Sequence, residues 1–246
     1  MKGLIFAAGL GTRLYPLTAD TPKALVKLGD KPMLQHVIEK FRSAGINEVV
    51  INVHHYADRI IEFLERNDNF GLRLRVSIEK DYPLETGGGL LKAAEWLAGD
   101  EPVLLHNADI FTDFPLEEMA SSHAESGADV TLLVDNRKSS RQLLLDSDGY
   151  MRGWTNLTTG EVKPADINVN ALNSKAFGGI HIINPSVVLP RLKAEATGEV
   201  FSITPFYISA CNDMNIKGFT PSSPYGWHDI GTVEKLAAAE RYLLSK

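Results

Sequence analysis

Apolar positions along the 246-residue chain recur in two alternating rhythms. After an apolar opening run at residues 4–8, Leu34, Val37, Ile38 and Phe41 fall at i, i+3, i+4 and i+7, one stripe of a helix that begins near Pro32 and ends at Gly45. Residues 48–53 read as a strand, Ala57, Ile60, Ile61 and Leu64 repeat the helical stripe, and residues 72–78 return to strand. A helix at 90–97, a strand at 103–106, a helix at 116–125 and a strand at 129–135 continue the series. Strand and helix in alternation form crossover units on a largely parallel sheet, so strand C-termini are expected to gather along one edge. Beyond Arg137 the rhythm weakens into a polar stretch to about Lys175, where 143–145 and 150–154 are candidate hairpin strands about Asp148 and Gly149. A strand at 178–183, a short helix at 185–192 and a closing helix at 233–244, with Leu236, Ala239 and Leu243 on one side, complete the pattern. No repeat or linker divides it, and the expectation is a single domain over 1–246 with a lid-like elaboration at about 137–175.

Composition narrows the classes. Hydrophobic residues at 44% and charged residues at 23% describe an ordinary globular chain with ample core. A formal net charge of −6 leaves no basic field for a nucleic-acid backbone, although local cations remain available to a small anion. No segment approaches the roughly 18 consecutive apolar residues of a membrane span. The run after Lys2 is too short for a signal peptide, so the cytoplasm is the expected location. The single cysteine, Cys211, has no internal disulfide partner and reads as a buried structural thiol.

The chemistry concentrates in three segments. The first is a glycine-rich turn after the opening strand: Ala8, Gly9, Gly11, Thr12 and Arg13, followed by Pro16-Leu17-Thr18 and Thr21-Pro22-Lys23. Backbone N–H groups in such a turn approach a phosphate without interference from a Cβ. A dinucleotide fingerprint requires a third glycine where Leu14 stands, and a Walker loop requires a glycine-lysine pair that is absent. Arg13 and Lys23 add two cations beside the loop, which suits a triphosphate better than a dinucleotide. The second segment is an apolar strand ending in Asn107-Ala108-Asp109, where a doubly wound sheet places its ligand crevice. The third runs from Glu79 to Leu84-Glu85-Thr86-Gly87-Gly88-Gly89, whose glycines admit close backbone approach. A further acid, Asp229, stands in the stretch Gly226 to Thr232 just before the last helix.

These motifs, in this order, resemble the signature of the sugar-1-phosphate nucleotidyltransferases, whose pattern is G-x-G-T-R, then P-L-T, then P-K. The resemblance implies a Rossmann-like three-layer α/β sandwich with a mixed, mostly parallel sheet of the nucleotide-diphospho-sugar transferase type. It implies that Arg13 and Lys23 hold the reacting phosphates, with Ala8, Gly9, Gly11, Thr12 and Asn107 along the nucleotide. It also implies that Asp109 and Asp229 bind Mg²⁺, and two carboxylates suffice for an ion that completes its shell with water and phosphate. His106 and His228 are read as packing neighbours, because hard Mg²⁺ prefers oxygen. By the same resemblance Gly88 and Glu79 contact the base, and Gly178 and Gly179 face the sugar. The triplet-like Glu161-Val162-Lys163-Pro164 is interrupted by Val162, and no role is drawn for Lys163.

The implied reaction is attack by a sugar-1-phosphate oxygen on the α-phosphorus of an NTP, releasing pyrophosphate and forming an NDP-sugar. The Leu84–Gly89 version of the third segment resembles the N-acetylmuramate-1-phosphate uridylyltransferase branch, which implies UTP, N-acetylmuramate 1-phosphate and a part in peptidoglycan recycling. The alternatives are a GTP-dependent mannose-1-phosphate or heptose-1-phosphate guanylyltransferase, and a non-catalytic nucleotide-sugar sensor. An NAD-dependent oxidoreductase is disfavoured by Leu14, Pro16 and Pro22. Neither nucleic acid nor membrane is expected as a partner, and the chain is expected to be a monomer or a small homo-oligomer.

Overall fold

Leu4 and Ile5 point to opposite faces of β1 (Lys2–Ala7) and both are fully buried, so the first strand lies between two apolar layers. The computed structural model describes all 246 residues. A two-residue pair, β2 (Lys27–Leu28) and β3 (Lys31–Pro32), leads into α1 (Met33–Ser43), β4 (Glu48–Val53), α2 (Ala57–Arg66) and β5 (Arg73–Ile78). Then come α3 (Glu85–Leu97), β6 (Val103–Asn107), β7 (Ile110–Thr112), α4 (Leu116–Ser126) and β8 (Val130–Asp135). The polar stretch contains β9 (Arg141–Leu145), β10 (Met151–Asn156) and β11 (Glu161–Lys163). The chain closes with β12 (Asn173–Ile183), α5 (Pro185–Glu195), α6 (Ile203–Ala210), β13 (Ile216–Phe219), β14 (Trp227–Asp229) and α7 (Val233–Leu244). No helix is long and apolar enough to cross a membrane.

The sheet is mixed around a parallel centre. Strands β6, β1, β4 and β5 run parallel, with Gly3 opposite Val49 on one side and Leu104 on the other. β12 joins β6 antiparallel, β8 joins β12, and β13 joins β8 in parallel. The first residues of β12 pair instead with β9, which carries β10 and β11 outward, so residues 137–175 extend the same sheet. This is the expected three-layer α/β architecture. One core packs α3, α5 and α6 on one face, and a second packs α1, α2 and α4 on the other. A third cluster joins Leu14 of the glycine loop to Ile230, Leu236 and Ala239, so α7 fastens the loop from outside the sheet.

Several elements depart from the expected boundaries: β12 begins at Asn173, ahead of the expected 178, and the short strands β7, β11, β13 and β14 had no apolar run to announce them. α3 begins at Glu85, so the three glycines lie inside a helix and not in an open loop before residue 90. α6 was not expected, because Pro205 interrupts a segment too short and too uniformly apolar to show a stripe. Proline is tolerated there because it falls in the first turn.

Candidate active site

The C-termini of β1 and β6 open on a crevice of about 500 Å³, floored by Ala7 to Arg13 and by Asn107, Ala108 and Asp109. Gly11 has φ +68°, and a Cβ there would come within 3.0 Å of both Lys23 and Thr18. Only glycine meets both demands comfortably. Thr18 Oγ1 donates to the Gly11 carbonyl at 2.9 Å, fixing the turn, and Lys23 is brought back over it to contact Asp109. The Lys23 side chain is only 13% exposed, so this ammonium is held inside the crevice wall.

Backbone pairing places Asp229 beside Asp109. β14 runs antiparallel to β7 with Asp229 opposite Ile110, and Ile230 N–H donates to the Asp109 carbonyl at 2.9 Å. Asp229 Oδ1 accepts from Gly231 N–H at 3.0 Å, and both its oxygens accept from Lys235 Nζ, at 2.9 and 2.6 Å. Burial works against ionising Asp229, but Lys235, the Gly231 N–H and Lys23 outweigh it and hold the carboxyl below the usual carboxylate range. A Cβ on Gly231 would lie 2.9 Å from Asp229 Oδ1 and 3.3 Å from an Arg13 nitrogen, so this glycine lets the guanidinium approach the acid. Arg13, Lys23, Asp109 and Asp229 thus converge from four separate segments.

β14 is held in place from the sheet side. Trp227 Nε1 donates to the Gly178 carbonyl at 2.9 Å, and the Arg137 guanidinium lies 3.8 Å from the Trp227 ring centroid. Arg137 also pairs with Asp135 at 2.8 Å and contacts the Phe177 carbonyl. Upstream, Gly226 N–H donates to Asp113 at 2.7 Å.

The histidines behave as packing groups. His106 is buried against the Phe41 ring, and burial drives its pKa down to about 3, so it is neutral near pH 7. Its Nδ1 lies 2.8 Å from the Asn107 carbonyl and so donates to it. His228 rests on Tyr242 at 4.7 Å between ring centroids.

Four expected contacts fall elsewhere. Glu79 is 2% exposed, and its carboxylate is already occupied by Asn52 Nδ2 and Leu84 N–H, each at 2.8 Å. The Gly87 and Gly88 N–H groups donate to the Phe201 carbonyl at 2.9 and 3.2 Å, and a Cβ on Gly88 would lie 2.0 Å from the Glu199 carbonyl oxygen. Glu79 and Gly88 line a separate cavity with Tyr82 and Glu199, where Gly88 packs residues 199–201 against α3 and Glu79 ties Asn52 to the Leu84 N–H at the start of α3. The crevice wall at that end is formed by Pro83, Glu85 and Thr86, which belong to the third segment without an expected contact of their own, and by Asn52 and Ser202, which sequence reasoning missed. Glu85, a non-glycine residue at φ +58°, has no signature readable in sequence. Gly178 and Gly179 line neither the crevice nor its neighbour: Leu133 fills the Cβ position of the first, and Asn107 lies against that of the second. Their bareness serves strand packing.

A second cavity of about 940 Å³ adjoins the crevice at Ser202, between β9–β11 and α6. Phe177 lines it from β12, and Arg141 and Lys163 bring cations, Lys163 pairing with Glu161 at 3.0 Å. The segment 137–175 walls this cavity.

The nucleotidyl transferase family matches residues 2–246, and the chain belongs to it. Among curated proteins it is similar to the mannose-1-phosphate guanyltransferase of Yarrowia lipolytica, at 34% identity over 76% of this chain and 50% of that protein. It is also similar to that of Schizosaccharomyces pombe, at 31% identity over 94% and 61%. The chain thus spans about half to three-fifths of the length of the curated relatives it matches. Among solved structures, one described as a glucose-1-phosphate thymidylyltransferase from Bacillus anthracis superposes with a TM-score of 0.82 at 19% identity, over 98% of this chain and 94% of that one. HddC from Yersinia pseudotuberculosis, complexed with GMP-PN, gives 0.76 at 20% identity over 98% and 99%. These two likenesses concern the fold.

Proposed function

We propose that the chain transfers a nucleotidyl group from an NTP to a sugar 1-phosphate and releases pyrophosphate. The observation that carries this reading is the convergence of Arg13, Lys23 and Asp109 on one glycine-floored crevice that opens into a larger cavity, with Asp229 adjoining its wall through Ile230 and Gly231. A phosphate oxygen of the sugar 1-phosphate forms the new bond to the α-phosphorus, and the bond to the β-phosphate oxygen breaks, with its electron pair leaving on pyrophosphate. The acceptor is already anionic near pH 7, so the site needs no strong general base. The work of the chain is to align the two phosphates and to neutralise charge on the leaving group through Arg13, Lys23 and the N–H groups of residues 8–12. The donor set of two carboxylates, with no histidine or thiol joining them, suits Mg²⁺, held by Asp109 and Asp229. When bound, the ion supplies electrostatic neutralisation of the phosphates.

GTP with mannose 1-phosphate is the substrate pair supported by the similarity to mannose-1-phosphate guanyltransferases. UTP with N-acetylmuramate 1-phosphate is the second reading, favoured by the Leu84–Gly89 sequence. Pyrophosphate release over a matrix of UTP, GTP, CTP and dTTP against mannose, glucose, N-acetylglucosamine and N-acetylmuramate 1-phosphates separates them. A preference for GTP and mannose 1-phosphate supports the first, and a preference for UTP and the muramate supports the second. Silence across the matrix from a folded protein speaks against the transferase reading.

A further inference from the structure

Lys235 has no part in the reaction described so far, yet it is the residue most intimately tied to Asp229. Its ammonium lies 2.9 and 2.6 Å from the two carboxylate oxygens, while Lys23 similarly engages Asp109. Each acid assigned to the divalent cation therefore already carries a lysine. The two lysines differ in freedom: the Lys23 side chain is 13% exposed, whereas that of Lys235 is 52% exposed on a flexible stem. Lys235 also sits in the first turn of α7, where a cation opposes the helix dipole. Helix stability does not explain its placement, and Asp229 is its ion-pair partner.

We propose that Lys235 is a positioning residue that holds Asp229 in the nucleotide-free chain and yields it only when a divalent cation arrives together with the nucleotide phosphates. This rests on the reading of Asp109 and Asp229 as the cation's ligands. Before nucleotide binds, Arg13, Lys23 and Lys235 outnumber the two carboxylates at this end of the crevice, so a free divalent cation meets net repulsion. A triphosphate reverses that balance by bringing several negative charges, and Lys235 then gives up Asp229. The consequence is an order of entry, with the cation taken up as its nucleotide complex.

Manganese binding to the full chain, followed by the paramagnetic resonance signal of free Mn²⁺, tests this without reference to turnover. Mn²⁺ alone is expected to bind Lys235→Met and Lys235→Gln about two- to fivefold more tightly than wild type, the size expected from removing one partly exposed charge. Lys235→Arg should stay within about twofold of wild type, because it restores the charge. With GTP or UTP present, the wild-type and Lys235→Met affinities should converge. If neither neutral variant binds Mn²⁺ alone more tightly while the wild type still binds Mn²⁺ with nucleotide, the proposal is overturned and the site assignment survives. If Asp229→Asn and Asp109→Asn leave Mn²⁺–nucleotide binding unchanged, the carboxylates are not the ligands, and that assignment and the proposal fall together.

Discussion

Asp109 does two jobs in the free chain, accepting the Lys23 ammonium through its side chain and the Ile230 N–H through its backbone. Asp109→Asn keeps the second and weakens the first. The variant is expected to fold normally and to lose roughly 3 to 4 kcal/mol of transition-state stabilisation, or a few hundredfold in pyrophosphate release. Near-normal turnover would remove Asp109 from the machinery. Glu79 makes the opposite case: its buried carboxylate accepts from both Asn52 and Leu84, and a glutamine there would turn one acceptor into a donor facing a donor. Glu79→Gln is expected to cost about 1 to 3 kcal/mol of stability in a denaturant titration. Arg13, Lys23, Asp109 and Asp229 stood out in the sequence through motifs that resemble a family signature, and the fold brings their segments together. The surroundings of Glu79 and Gly88 were not legible, because they are tertiary facts: Asn52 and the Leu84 N–H occupy Glu79, and residues 199–201, more than 100 positions away, occupy Gly88.

At the scale of elements, strong stripes read well. α1, α2 and α7 follow their apolar periodicity, and the buried strands β4 and β6 follow the short apolar runs Val49–Ile51 and Val103–Leu105. α3 was truncated because a run of three glycines opposes helix propensity by roughly 1 kcal/mol each. Its docking against Phe201 overrides that preference. Gly88→Ala improves the propensity yet drives a Cβ into the Glu199 carbonyl oxygen, so it is expected to destabilise by about 1 to 3 kcal/mol. A thermal midpoint lower by several degrees is the expected readout, and an unchanged or higher midpoint would show that the 199–201 segment yields. α6 and the second cavity it helps to wall stayed invisible because they depend on elements far apart in the chain.

For the whole molecule, the apolar layers set its response to acid. His106 and His181 are fully buried, and burial drives both down to about 3. Between the unfolded value of roughly 6.5 and that point, the unfolded chain binds protons that the folded chain refuses. Stability is therefore lost as pH falls through this window, by up to roughly 1.4 kcal/mol per pH unit for each histidine. Asp229, Asp113 and Asp146, held below the usual carboxylate range, add to the loss at the acid end. The thermal midpoint should fall steeply from pH 6.5 to 4.5, and His181→Phe, which suits the neighbouring Phe177 and Tyr207 rings, should flatten the slope. A midpoint independent of pH over this range would show that these imidazoles admit water. The order of strands and helices was legible in the alternation of periods, whereas the antiparallel insertion of β12 between β6 and β8 was not, because register is decided between strands.

The fate of the α-phosphorus bears on nucleotidyl transfer most directly. Incubating the folded chain with Mg²⁺, a sugar 1-phosphate and GTP or UTP labelled with ³²P at the α-position, then separating the nucleotides, follows that atom alone. The account predicts label in an NDP-sugar, dependent on the acceptor and lost with Asp109→Asn. Label that remains in the triphosphate with every acceptor, or that appears as the free monophosphate irrespective of acceptor, would contradict it.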